Sequence, residues 1–151
     1  MASTIISSSL KIRIIEDITL NGRDRGSDNT IIISSINEVD NRIVTLPSGS
    51  ETTLFALSGS SAAGTFVSSS LKYARVTNKD DSVEVRLRIS SSNDYSSDYR
   101  LDPGSSFLLS NTKVSGSSTG VSNINNYDEI YQILGEPSGA DAEVEVFVAS
   151  L

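Results

Sequence analysis

The fold is decided by the stretch Val83-Glu84-Val85-Arg86-Leu87-Arg88-Ile89, in which apolar and charged side chains alternate without a break. Because successive side chains of a β-strand point to opposite faces, this pattern puts every apolar residue on one face and every charge on the other. The stretch is therefore predicted to be a half-buried strand. The same alternation recurs near both ends of the chain, in Leu10-Lys11-Ile12-Arg13-Ile14 and in Glu143-Val144-Glu145-Val146-Phe147-Val148.

Six further short segments are rich in β-branched and aromatic residues, which are typical of strands. They occupy residues 30–34, 42–46, 53–57, 65–67, 72–77 and 106–109. Turn-forming sequences separate the segments, among them Asn21-Gly22, Pro47-Ser48-Gly49 and Asp102-Pro103-Gly104. These sequences supply the left-handed or φ-locked positions that chain reversals need. The chain is therefore predicted to contain eight to ten strands.

One segment, residues 126–134, is predicted to be a short helix. Ile130, Ile133 and Leu134 have the i, i+3, i+4 spacing of a helical face, and Gly135 stands where a helix would end. Many short strands with one short helix predict an all-β fold, and specifically an antiparallel β-sandwich of the jelly-roll type. An immunoglobulin-like domain is the alternative.

The length of the chain, 151 residues, fits a single domain. We expect residues 1–9, which are rich in serine, to form a flexible N-terminal arm, and residues 10–151 to form one β-sandwich domain. The arm could dock on a neighbour by adding a strand to a sheet. Its sequence lacks the basic start and apolar core of a signal peptide, and no segment approaches the length of a membrane span, so we expect cytoplasmic synthesis and no membrane partner.

The composition argues against several classes of function. A formal charge of −7 and a pI near 4.5 disfavour a nucleic-acid partner, because phosphate contacts need a basic surface. The chain has no histidine and no cysteine, which removes the commonest general base and the commonest ligands of transition metals. We therefore expect no enzymatic activity and no cofactor. The oxygen-rich loops at residues 21–29 and 92–98 lack the spacing of an EF-hand.

Carboxylate pairs have structural explanations. Asp80-Asp81 follows Asn78-Lys79 between two predicted strands, where such residues favour turns. For partner binding the sequence offers two groups of residues. Ile5 and Ile6 would provide apolar contacts from the arm, and Tyr95 and Tyr99 would provide aromatic anchors from a polar loop.

Three segments in the middle of the chain resemble small virion structural proteins of tailed bacteriophages, especially marine and cyanobacterial phages. They are Leu71 to Asp81 with its Thr77-Asn78-Lys79-Asp80 turn, the strand Val83 to Arg88, and Tyr99 to Leu109, in which Pro103-Gly104 precedes Phe107-Leu108-Leu109. The closing residues Val144 to Ala149 are similar as well. The resemblance covers about half of the chain and consists of strand and turn residues, so it transfers no functional site.

The resemblance implies a jelly-roll-like accessory protein on the capsid surface, made in the host cytoplasm and present in many copies. On this hypothesis the chain is a capsid decoration or cement protein whose partners are the major capsid protein and further copies of itself, with a trimer as the expected homo-oligomer. The alternative hypothesis is a tail or fibre component that binds a host glycan or receptor.

Overall fold

The computed structural model describes residues 6–58, 65–67, 70–91, 96–110, 115–116 and 128–151. Over these residues the chain is all-β, with fourteen strands and no helix. The prediction of an all-β fold with antiparallel sheets is confirmed, and the six short segments predicted as strands all lie within strands. The chain divides into two compact units, Met1–Asn37 and Glu38–Leu151. The arm over residues 1–9 and the single domain over residues 10–151 stay predictions, with the first strand beginning at Ser8.

The first unit is a long β-hairpin. Strand β1 (Ser8–Glu16) pairs antiparallel with β4 (Ser27–Ile36), and between them β2 (Thr19–Leu20) pairs with β3 (Arg23–Asp24). The connection from β2 to β3 is Asn21-Gly22, and both residues have positive φ, 51° and 72°. This is the geometry of the two-residue turn that Asn-Gly favours, because its twist matches that of the flanking strands. The predicted turn is confirmed.

The second unit contains ten strands in the described residues. They are β5 (Glu38–Leu46), β6 (Thr52–Ser58), β7 (Thr65–Val67), β8 (Leu71–Asn78), β9 (Val85–Ser91), β10 (Ser96–Leu101), β11 (Ser106–Ser110), β12 (Ser115–Gly116), β13 (Asp128–Pro137) and β14 (Ala142–Ser150). One sheet has four strands in the order β11-β8-β14-β5. The other has six, in the order β10-β9-β13-β6-β7 with β12 beside β13. The pairing of β6 with β7 is parallel and the other pairings are antiparallel.

The strand pairs of the second unit are nested. The first strand, β5, pairs with the last, β14, and β6 pairs with β13. Inside these, β8 pairs with β11 and β9 with β10. Because β14 also pairs with β8 and β13 also pairs with β9, β14 lies in the interior of the four-stranded sheet, between β5 and β8, and β13 lies between β6 and β9.

Side chains from both sheets of the second unit form one hydrophobic cluster. Fully or nearly fully buried members include Leu46, Val76, Val144, Val146 and Val148 from the four-stranded sheet and Leu54, Phe55, Val85, Leu87 and Ile133 from the six-stranded sheet. Gly135 of β13 lies close to Leu46, a cluster member on β5. A Cβ added to the glycine would lie 2.9 Å from Leu46 Cδ1. Glycine therefore leaves the space that the Leu46 side chain occupies.

The predicted helix at residues 126–134 is wrong where the structure describes it, because residues 128–137 form β13. The register of β13 against β9 shifts between Ile130 and Gln132, and its register against β6 shifts between Ile133 and Leu134. A shift of this kind inserts an extra residue and breaks the strict alternation of a strand. Ile130 and Ile133 therefore both pack with the core cluster at a spacing of three, which imitates a helical face. Residues 126 and 127 lie outside the described residues.

The turn after β8 is organised by a buried asparagine. Asn78 is fully buried, and its Nδ2 donates to the carbonyl oxygens of Val83 and Leu101 at 2.8 and 3.2 Å. Its Oδ1 accepts from the Asp80 amide at 3.1 Å. Asp80 Oδ1 accepts from the backbone amides of Ser82 and Val83, at 2.9 and 2.8 Å. The structural explanation of Asp80 as a turn residue is thereby confirmed.

Candidate interaction surfaces

The four residues predicted to bind a partner have different positions. Ile5 and Tyr95 lie outside the described residues. Ile6 belongs to the first unit and is 85% exposed. Tyr99 belongs to the second unit, on the edge strand β10, and is 45% exposed. Its ring lies 5.0 Å from that of Phe107 on β11, the edge strand of the other sheet, so part of Tyr99 serves packing between the sheets.

The most exposed apolar surface is on the hairpin of the first unit, and sequence reasoning did not single it out. Its exposed apolar side chains are Ile14, Ile15, Ile18, Leu20 and Ile32, with exposures between 39% and 66%. Toward the other end of the hairpin Ile33 and Ile36 are buried. Ile32 is 66% exposed although its neighbour Ile33 is buried, because successive side chains of β4 point to opposite faces of the hairpin. The register of β1 and β4 places Ile15 and Ile32 on the same, exposed face. Exposed apolar residues grouped in this way are a mark of interaction surfaces.

The hairpin holds its shape through local polar contacts. Arg13 and Asp28 are cross-strand neighbours on β1 and β4, and Arg13 Nε donates to Asp28 Oδ1 at 2.9 Å. This hydrogen bond lowers the pKa of Asp28 below its usual range. Gly26 is also required, because a Cβ there would collide with the carbonyl oxygen of Glu16. Even so, a two-stranded hairpin alone is marginally stable in water.

Two arginines stand near the end of the hairpin without an ion pair in the described part of the chain. Arg23 lies on β3 directly opposite Leu20, and Arg25 follows two residues later. The nearby Asp24 carboxylate accepts from the Gly26 amide at 2.8 Å. We call Ile18, Leu20, Arg23 and Arg25 the hairpin tip. It combines exposed apolar side chains with positive charge.

A second apolar surface lies on the edge strand β5. Val39 and Ile43 are 54% and 61% exposed and alternate with the inward-facing Val44 and Leu46. Opposite Ile43 on β14 is Glu145, and the exposed Glu143 is two residues away on the same strand. Arg75 Nη1 binds Glu145 at 3.2 Å, whereas Glu143 has no ion pair in the described residues. We call Val39, Ile43 and Glu143 the β5 face.

The six-stranded sheet carries a network of ion pairs. Arg86 binds Glu51 at 2.8 Å and also binds Glu136, and Arg88 binds Glu51 and Asp98 at 2.6 and 2.8 Å. The hydrogen bonds from Arg88 lower the pKa of the Asp98 carboxyl. Because these charges neutralise one another on a partly exposed surface, each pair contributes little to stability.

A shallow groove of about 490 Å³ lies beside this network. Its lining includes Glu84, Arg86, Tyr99, Arg100 and Glu136. Arg100 is held by Glu84 and Asp102 at 2.6 and 2.7 Å. The groove is therefore lined by Tyr99 of β10 and by charged groups that already have partners.

No helix long and apolar enough to cross a membrane occurs in the residues that the structure describes. Nor do three or more His, Cys, Asp or Glu side chains come together as a metal-binding group within those residues. No protein-family model matches the chain, and searches of curated proteins and of solved structures find no match either.

Proposed function

We propose that the chain is a structural virion protein, a capsid decoration protein that binds the major capsid lattice and stabilises it, and that it is not an enzyme. The second unit would be a jelly-roll β-sandwich that serves as the body of the protein. The hairpin of the first unit would be its contact arm. The observation that carries the proposal is this hairpin, which presents Ile15, Ile18 and Ile32 to solvent with exposures above 50%.

The nested strand pairs support the jelly roll. Apart from the short strands β7 and β12, which pair with β6 and β13, the strands pair first with last, second with second-last and so on, as β5–β14, β6–β13, β8–β11 and β9–β10. This is the pattern of one long hairpin rolled up so that its eight strands fall into two sheets. The jelly roll has eight strands in two such sheets and recurs in viral capsid proteins. The single hydrophobic cluster with members from both sheets supports face-to-face packing.

The exposed hairpin supports assembly. Five apolar side chains of the hairpin are at least 39% exposed, and neither of its two-stranded sheets has a third strand in the described residues. Burying such side chains against a lattice would release roughly 25 cal/mol per Å² of apolar surface. A decoration protein that binds only the assembled lattice then stabilises it by mass action.

The resemblance to phage virion proteins supports the choice of a capsid as the partner. The absence of histidine and cysteine from the sequence supports a role without catalysis, since a serine or a carboxylate would need a positioned partner to act on a substrate. The carboxylates beside the groove support the same conclusion, because Glu84 and Glu136 are bound by arginines.

Co-sedimentation with phage heads prepared without the protein tests the proposal. We expect the full chain to pellet with heads and to saturate them at a fixed ratio. The double variant Ile15→Ser/Ile32→Ser, which removes apolar residues from one face of the hairpin, should bind at least roughly tenfold more weakly. Leu108→Ser is the matched control, because Leu108 is an exposed apolar residue of the second unit. A chain that leaves all heads unbound would refute the proposal.

A tail or fibre component that binds a host glycan is the second candidate. The groove favours it, because half-exposed Tyr99 stands beside arginine and carboxylate groups, and jelly rolls also occur in lectins. Glycan-array binding that is lost in Tyr99→Ala, together with no binding to heads, would favour this function over capsid decoration.

A further inference from the structure

The charge of the protein is distributed unevenly between the two units. Residues 1–37 contain four basic and four acidic side chains, so the formal charge of −7 belongs entirely to residues 38–151. Two copies therefore repel each other when their second units approach. The hairpin has no net charge and can approach a second copy without that repulsion.

The hairpin tip and the β5 face are complementary in chemistry. On the tip, Leu20 and Arg23 are cross-strand partners, so an exposed apolar side chain stands next to a cation that has no ion pair in the described residues. On the β5 face, Ile43 is the cross-strand partner of Glu145, and the nearby Glu143 has no described ion pair. Cross-strand neighbours such as Leu20 and Arg23 are about 5 Å apart, and diagonal neighbours such as Ile43 and Glu143 are about 7–8 Å apart. Each surface thus offers an apolar group near a charge, which is positive on the tip and negative on the β5 face.

We propose that the hairpin tip of one copy docks on the β5 face of a second copy of the same chain. Ile18 and Leu20 would cover Val39 and Ile43, and Arg23 and Arg25 would face Glu143. The contact joins two different surfaces, so it repeats from copy to copy and gives a closed ring of definite size when its rotation closes. Apolar contact would supply most of the affinity, and the charges would fix the orientation.

The inference concerns self-association, so it is tested without capsids. The mass of the full chain is measured by light scattering over a range of concentrations and salt. We expect a discrete oligomer that weakens as salt rises, because exposed ion pairs are screened. The tip variant Arg23→Glu/Arg25→Glu and the face variant Glu143→Lys should each raise the dissociation constant roughly tenfold or more, since like charges would then face each other.

Combining the three substitutions reverses the sign of the charge on both the hairpin tip and the β5 face, so opposite charges face each other again. The triple variant should therefore regain association. Leu108→Ser again serves as the control and should associate like the unmodified chain. A wild-type chain that stays monomeric, reversal variants that associate normally, or a triple variant that stays monomeric would each overturn the inference. Far-UV circular dichroism establishes that each variant is folded.

The two proposals fail in different ways. A monomer that still saturates heads would overturn the docking of tip on β5 face and leave the capsid proposal standing. An oligomer of definite size that ignores heads would overturn the capsid proposal and leave the docking standing.

Discussion

The contact between Gly135 and Leu46 gives a quantitative test of the packing between the two sheets. Adding a methyl group in Gly135→Ala places a carbon 2.9 Å from Leu46 Cδ1, inside the fully buried cluster. Overpacking of this kind costs about 1–3 kcal/mol. Gly135 has no positive φ, so the backbone accepts alanine and the cost comes from the contact. Leu46→Ala alone should cost about 2–5 kcal/mol, because it removes a buried side chain and leaves a cavity.

The double variant should be more stable than the sum of the two costs predicts. The new methyl group at residue 135 enters the space that Leu46 vacates, so it no longer clashes and it fills part of the cavity. We expect a coupling of about 1–2 kcal/mol between the two sites. Urea unfolding of the four proteins in the double-mutant cycle, followed by far-UV circular dichroism, measures this coupling as a free energy of unfolding.

The control cycle pairs Gly135→Ala with Leu109→Ala. Leu109 is also a buried leucine of the four-stranded sheet, but the atoms nearest to Gly135 belong to Leu46 and Leu54. The loss of unfolding free energy in Leu109→Ala should therefore add to the loss in Gly135→Ala within about 0.5 kcal/mol. Additive costs in the Leu46 cycle as well would refute the packing of β5 against β13 and, with it, the proposed sandwich.

Three further predictions concern the hairpin, the buried asparagine and acid. Gly26→Ala should open the hairpin, because its Cβ would collide with the Glu16 carbonyl. Amide hydrogen exchange should then accelerate in residues 8–36, whereas the amides of the second unit should keep their protection. Asn78→Ala should lower the free energy of unfolding in urea by about 2–4 kcal/mol, because it removes two donated hydrogen bonds and one accepted bond at a buried site. Asp80 and Asp98 have pKa values in the folded protein below the ordinary 3.8. Their ionised carboxylates therefore contribute fully to the free energy of unfolding above that pH, and this contribution is lost as the pH falls through the lowered pKa values. Thermal unfolding should thus show a midpoint that drops on acidification below about pH 4, and Asp80→Asn should reduce the drop.

Much of the fold could be predicted from local patterns. Alternation between apolar and charged residues identified β9, and its burial follows the pattern, with Val85 and Leu87 buried and Arg86 exposed. Turn sequences such as Asn21-Gly22 predicted the chain reversals, because the φ values that they permit are a local property. These signals act over a few residues and need no knowledge of distant partners.

The errors and omissions arise from long-range structure. The shifts of register in β13 depend on its neighbours β6 and β9, so the spacing of Ile130, Ile133 and Leu134 imitated a helix. The alternating stretch Leu10 to Ile14 predicted a half-buried strand, yet Ile14 is 39% exposed. The sequence cannot tell how much of a strand other parts of the chain cover. For the same reason it did not indicate the hairpin tip, although Leu20 and Arg23 flank a turn that was predicted.

The nested pairing of the second unit has a consequence for the way the chain acquires its fold. Residues 38–46 of β5 find their partner in residues 142–150 of β14, about a hundred positions later in the chain. Folds dominated by such distant pairings have high contact order and fold slowly, because the chain must lose the entropy of closing a long loop before the stabilising contacts can form. Since β14 lies inside the four-stranded sheet, that sheet remains incomplete until this segment has left the ribosome. The four-stranded sheet of the second unit can therefore be completed only after β14 has been synthesised.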